Sequence, residues 1–179
     1  MLDHDAEQVE LIRRLGFKVY YGDATRLELL EAAGAEHARL LIIAMNDPEK
    51  TLQLVETARK HYPHLELLVR AHDREHAYKL IQLGVKHPFR ETLDSSLELS
   101  AAALHHLGFG AYRAHRAAQN FKVYDENTVR ELARFYGTDD TNDFLGRIRR
   151  QIRTIDELFE AERSRSTLPV DTDWDRPKG

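Results

Sequence analysis

Apolar positions along the first ninety residues switch repeatedly between two periods. Val9, Leu11, Ile12 and Leu15 recur at helical spacing. Asp5 precedes them as a predicted N-cap, and Gly16 follows where a helix commonly ends on a left-handed residue. The pattern then tightens to a strand over Phe17–Tyr21, rich in aromatic and β-branched side chains. Leu27, Leu29, Leu30, Ala32 and Ala33 predict a second helix stopping near Gly34. Arg39–Ala44 contains the start of the longest apolar run, Leu40–Met45, and reads as a strand buried on both faces of a parallel sheet. Asn46-Asp47-Pro48 opens a third helix with proline at its first turn, and Pro63 closes it after about Tyr62. Leu65–Ala71 is the next strand. Asp73 caps a helix over Ala77, Leu80, Ile81 and Leu83 that ends at Gly84, and Val85–Phe89 is a short last strand.

Helices and strands repeat every 22 to 26 residues or so, with short loops. That rhythm builds βαβ units and a doubly wound parallel sheet with right-handed crossovers. Leu2-Asp3 reads as the end of a strand, so the α/β sheet is expected to lack its first βα unit. After Thr92 the rhythm stops. Asp94–Leu107 is an alanine- and leucine-rich helix, broken by Gly108 and Gly110. A charged helical stretch follows, with Arg113, Arg116, Glu126, Arg130 and Glu131 among sparse apolar positions such as Phe121, Val129, Leu132 and Phe135. Residues 137–142 read as a loop, and a last helix covers roughly Asp143–Arg163. The expected organisation is residues 1–92 as a partial nucleotide-binding domain, 93–163 as a helical arm for dimerisation or regulation, and 164–179 as a disordered tail.

Composition narrows the class. The chain has 179 residues, a formal net charge of -4 and no cysteine. It is expected to be a globular protein of the soluble class that does not bind nucleic acid, which ordinarily demands a basic face. Thiolate metal sites and cysteine nucleophiles are excluded. No run approaches the ~18–20 apolar residues of a membrane span.

Open parallel sheets bind ligands outside the carboxyl ends of their strands, which singles out Asp3, Gly22–Thr25, Asn46-Asp47 and Arg70–Asp73. Asp3 stands where a dinucleotide-binding unit places an acid on the ribose hydroxyls, but it equally suits a turn or cap. Asp23 can accept from adenine or ribose, and Thr25 can cap the helix behind it. Arg70 can clamp an oxyanion with two parallel N–H groups, or form a surface ion pair. Ten histidines include the pairs His61/His64 and His72/His76, but neither supplies the three or four ligands zinc needs, so no metal is expected. No nucleophile elbow, phosphate-binding lysine loop or zinc-protease motif is present, and the chain is not expected to be an enzyme.

The series Leu2-Asp3-His4-Asp5, Val19–Thr25, Leu29–Gly34 and Asn46-Asp47-Pro48 resembles the cytoplasmic nucleotide-binding domain of potassium transport systems, called KTN, RCK or TrkA-N. His61–Leu65, Arg70–Asp73 and Pro88–Thr92 look most like the glutathione-regulated Kef antiporters. The resemblance covers residues 2 to about 135. It implies a Rossmann-like fold in a domain that dimerises, binds AMP or NAD(H), and gates potassium efflux coupled to proton entry. It further implies glutathione or its adducts as regulatory ligand, a membrane antiporter domain as partner, a possible ancillary subunit of quinone-oxidoreductase type, and a place on the cytoplasmic face of the inner membrane. By position, Asp3, Asp23, Thr25, Asn46 and Arg70 fall to the nucleotide, and Arg90 and Asp125 to glutathione. Asp125 stands where the family carries an asparagine, and a carboxylate there repels an acidic ligand; Asn120 or Asn127 takes that role if the alignment shifts. With the glycine-rich phosphate loop expected to lie before position 1, nucleotide binding by this chain is expected to be weak. The alternative is a nicotinamide-dependent oxidoreductase domain, which shares the fold class.

Overall fold

The computed structural model describes residues 1–137 and 144–154. They form two compact units: Met1–His72 with Lys79–Phe89, and Asp73–Tyr78 with the chain from Arg90 onward.

In the first unit, β1 (Leu2–Asp3) leads into α1 (Ala6–Arg14). Asp5 is the N-cap, its carboxylate accepting from the Glu7 and Gln8 amides at 2.9 and 3.2 Å. Two orphan amides of the first turn are satisfied by that one residue. Gly16 leaves the helix at φ 85°, a region a Cβ strongly disfavours. The strand expected over Phe17–Tyr21 shrinks to β2 (Tyr20–Tyr21), because its ladder consists of Leu2↔Tyr20 and Asp3↔Tyr21. Behind it, α2 spans Leu27–Ala32 with Arg26 at the cap position. Thr25 does not cap this helix as expected: its hydroxyl is spent on Asp23 at 2.8 Å. A single 3-10 turn, Ala35–His37, then leads to β3 (Leu40–Ile43).

Helix α3 (Pro48–His61) begins as the sequence predicts, with Asp47 accepting from the Glu49 and Lys50 amides and Pro48 in the first turn. It packs Leu54, Val55 and Ala58 into the core. Strand β4 (Glu66–Ala71) pairs in parallel with β3, from Leu40↔Glu66 to Ile43↔Val69. Helix α4 (Arg74–Gln82) follows, and β5 (Phe89–Arg90) carries the chain from the first unit to the second. The last strand is thus shorter and later than Val85–Phe89.

The strands form two parallel sheets, β1-β2 and β3-β4-β5, flanked by helices. The expected α/β class holds, with the sheet in two pieces. The expectation that β3 is buried on both faces fails. Ile43 is in the core, whereas Ile42 is 66% exposed and Leu40 is exposed beside it. Successive strand residues point to opposite faces, so one face of β3 is covered and the other is open.

The second unit is helical. α5 (Leu93–His106) packs against α6 (Ala111–Leu132). Their charged faces are tied by Lys122 and Asp94 at 2.5 Å. Ala114, Ala118, Val129 and Leu132 form the buried stripe of α6, and Thr128 and Asp125 are buried with them. Leu99, Leu107 and Phe109 of α5 and its following turn remain exposed. Residues 144–154 are helical. Phe144 stacks edge-on to Tyr78 and Tyr136 at 6.0 and 5.8 Å between ring centroids, and the Arg147 guanidinium lies 3.7 Å from the Phe135 ring centre. The remainder of the expected last helix and the tail lie outside the described residues.

Candidate functional site

Parallel strands in one direction bring their carboxyl ends to one edge, and the first unit loads those ends with polar side chains. Asp3 ends β1. Its Oδ1 accepts from the Asp5 amide at 3.0 Å, an Asx turn that leads into α1. Gly22 follows β2 and donates its amide to the Asp3 carbonyl at 2.8 Å. A Cβ at Gly22 would lie 2.4 Å from Leu29 Cδ1, so a larger residue here forces the Leu29 side chain to turn away.

Asp23 is held from three sides. Thr25 donates its amide at 3.0 Å and its hydroxyl at 2.8 Å, and Lys50 donates its ammonium at 3.1 Å. The Thr25 amide foremost, then its hydroxyl and Lys50, lower the Asp23 carboxyl to about 2. The group is therefore an ionised acceptor across the physiological range. Lys50 was not singled out from the sequence. It sits in the first turn of α3, where a lysine reads as a solvated surface residue, and only the fold brings it to Asp23.

At the ends of β3 and β4, Arg70 donates Nη2 to Asn46 Oδ1 at 2.7 Å and to the Ala44 carbonyl at 3.1 Å. These contacts turn the Asn46 amide so that its nitrogen, a donor, faces away from Arg70. The first unit thus assembles two carboxylate acceptors, a hydroxyl, an amide and two cations at its strand ends. That mixture suits a ligand with both hydroxyls and oxyanions.

The second unit holds a different arrangement. Asp125 is 2% exposed, and each of its oxygens accepts from a separate guanidinium: Oδ1 from Arg74 Nη2, Oδ2 from Arg90 Nη2. The Arg90 side chain is 11% exposed and that of Arg74 is 45% exposed. Breaking a buried ion pair by removing one member typically costs about 3–5 kcal/mol, because the other charge is stranded. Arg90 and Asp125, both assigned to one ligand by resemblance, are therefore brought together, but as partners of each other. Arg74, absent from the sequence-derived candidates, completes the group from 51 residues away.

The first turn of α4 extends this network. Burial above all pushes the Tyr78 phenol up, against the opposing pull of the nearby Arg74 charge. Tyr136 stacks on Tyr78 at 5.1 Å and hydrogen-bonds Glu75, which, with burial, pushes the Tyr136 phenol up to about 12.

Parallel strands with polar residues at their carboxyl ends, helices on their flanks and a helical extension define a Rossmann-type α/β domain. Residues 1–91 match the TrkA-N domain, and residues 95–175 match the potassium efflux system KefB C-terminal domain. The glutathione-regulated potassium-efflux system protein KefC of Cronobacter sakazakii is 38% identical over 174 residues, which cover 97% of this chain and 28% of that protein. The chain thus spans little more than a quarter of this curated relative. The solved structure described as Shewanella denitrificans Kef CTD in AMP bound form is 46% identical, with a TM-score of 0.68, over 75% of this chain and 82% of that one. The chain belongs to the TrkA-N domain family, as a Kef-type domain of potassium efflux systems. Among the described residues, no helix is long and apolar enough to cross a membrane.

Proposed function

We propose that this chain is the regulatory ligand-binding domain that gates a potassium/proton antiporter, answering to a nucleotide and to glutathione or its adducts. The observation that carries the reading is the 46% identity to a Kef C-terminal domain in AMP-bound form. The polar strand ends of the first unit give that likeness a chemical basis. Asp3 and Asp23 are acceptors for ribose and adenine, Thr25 fixes Asp23, and Asn46 and Arg70 supply donors for AMP or NAD(H). Arg90 and Asp125 belong to the glutathione side. The exposed Leu99, Leu107 and Phe109 support a homodimer built on α5, because apolar side chains on a helix face gain from a partner. A membrane antiporter domain and an ancillary oxidoreductase-type subunit complete the assembly, on the cytoplasmic face of the inner membrane. The oxidoreductase reading shares the fold alone, whereas the KefC relative and the KefB C-terminal family model are described as parts of potassium efflux systems.

Titration calorimetry with AMP and with reduced glutathione, each alone, tests the reading. Asp23→Ala removes a charged acceptor and should weaken AMP by about 10- to 100-fold, as for hydrogen bonds to charged groups, with glutathione unaffected. Arg90→Lys should do the converse. Equal losses of both ligands in both variants would argue against separate sites, and turnover of a nicotinamide cofactor would favour the oxidoreductase.

A further inference from the structure

We propose that Arg74 is a further ligand-contacting residue, whose guanidinium, aimed by Asp125, receives a carboxylate of an acidic small molecule. The proposal rests on the reading above that Arg90 serves the glutathione side. Charge is the first observation. Arg74 and Arg90 bring two positive charges to the single carboxylate of Asp125, so the group carries an excess of one cation. Donor capacity is the second. Each guanidinium has five N–H groups. Among the described residues, Asp125 accepts from one nitrogen of each. The surplus donors are therefore mostly Arg74's to present, because its side chain is 45% exposed against 11% for Arg90.

An incoming carboxylate could displace Asp125 or add to the outside of the group. Displacement strands a carboxylate that is 2% exposed, and the ligand would have to supply that loss before gaining anything. Addition needs no such loss, since it spends the excess charge and the donors already facing water. Asp125 is then a positioning residue that orients the guanidinium, and this accounts for an acid standing beside an acid-binding arginine.

The place of Arg74 points the same way. It opens α4, where the helix dipole disfavours a cation, so helix stability does not account for an arginine at that position. Asp73 accepts from the His76 amide at 2.8 Å, so at least one first-turn amide of α4 is already satisfied within the chain. Glu75, the acid next to Arg74, is engaged by Tyr136.

Calorimetric titration of reduced glutathione and of its dimethyl ester into the wild-type chain, Arg74→Gln, Arg74→Lys and Arg90→Lys tests the assignment. Arg74→Gln should weaken glutathione by about 10-fold or more, the scale of a charge-assisted hydrogen bond. The ester should bind the wild-type chain at least that much more weakly than glutathione, and should lose nothing further in Arg74→Gln. Arg74→Lys keeps the charge opposite Asp125 and loses the fork, so it should fall between. Should Arg74→Gln not fold, a glutathione affinity in Arg74→Lys equal to wild type overturns the proposal. Undiminished glutathione binding in Arg74→Gln with weakened binding in Arg90→Lys overturns the Arg74 role and leaves the Arg90 reading standing. An equal loss of ester and acid in Arg74→Gln also overturns it, since that marks a purely structural role. Absence of glutathione binding by the wild-type chain overturns both.

Discussion

Replacing Asp125 by alanine removes the only carboxylate shared by Arg74 and Arg90 among the described residues, and the structure sets the size of the effect. Arg90 is 11% exposed and would keep its charge with no counter-ion, a loss of about 3–5 kcal/mol for a buried pair. Arg74 is nearly half exposed and can turn to water, so its share is that of a surface pair, about 0.2–1 kcal/mol. Because the two arginines share one partner, the sum is not additive, and about 3 kcal/mol is expected for Asp125→Ala. In a domain of this size that corresponds to a melting temperature lower by about 6–12 °C. Urea unfolding followed by circular dichroism should show a lower midpoint with an unchanged slope. Asp125→Asn keeps the shape and one acceptor, and should lose about 1.5–3 kcal/mol. The double variant Arg90→Met with Asp125→Leu should be more stable than Asp125→Ala, because it removes the buried charges together. An Asp125→Ala chain within about 0.5 kcal/mol of wild type, the range of ordinary surface substitutions, would refute the reasoning.

Other consequences follow from the same geometry. Asp23 has its carboxyl lowered from 3.8 to about 2, so the stability it confers is present above pH ~4 and is lost as pH falls toward ~2; acid unfolding of Asp23→Asn should show a weaker dependence in that window than the wild-type chain. Tyr136 is raised from 10.0 to about 12, so its contribution is intact below pH ~10 and fades as pH rises through ~12. Ultraviolet titration should show late-ionising phenols, with the one near pH ~12 disappearing in Tyr136→Phe. Gly22→Ala makes the Leu29 side chain turn away and should cost about 1 kcal/mol by thermal unfolding, the low end of overpacking. Leu80, fully buried, should lose about 2–5 kcal/mol as alanine.

What the chain discloses about itself divides by distance. Asp5 before α1 and Asp47-Pro48 before α3 were legible because capping is a local event, decided within three residues. The order of helices and strands was legible for the same reason, through periodicity. Phe17 and Val19 carry strand propensity, yet the ladder stops at Tyr20 because pairing is set by the partner strand. Leu40 and Ile42 read as core, but which face of β3 is covered depends on elements elsewhere in the chain. At the strand ends, Asp3, Asp23, Asn46 and Arg70 were found by position alone, whereas Lys50 was hidden as an ordinary helix-surface lysine. Arg90 and Asp125 entered only through resemblance. Their pairing with each other across 35 residues, and with Arg74 across 51, has no local signature. The acid at 125 was the available clue, since a buried carboxylate requires cations nearby.

The proposed control of potassium efflux through a glutathione site that includes Arg90 is open to a direct test. The direct measurement is potassium retention in cells expressing this domain as the C-terminal part of a Kef-type efflux protein, with Arg90→Lys as the variant, since it preserves the charge facing Asp125. With glutathione present and no electrophile added, the wild-type protein should hold potassium while the variant leaks it, with equal protein levels on immunoblots. Identical retention by the two, before and after electrophile, would contradict the account.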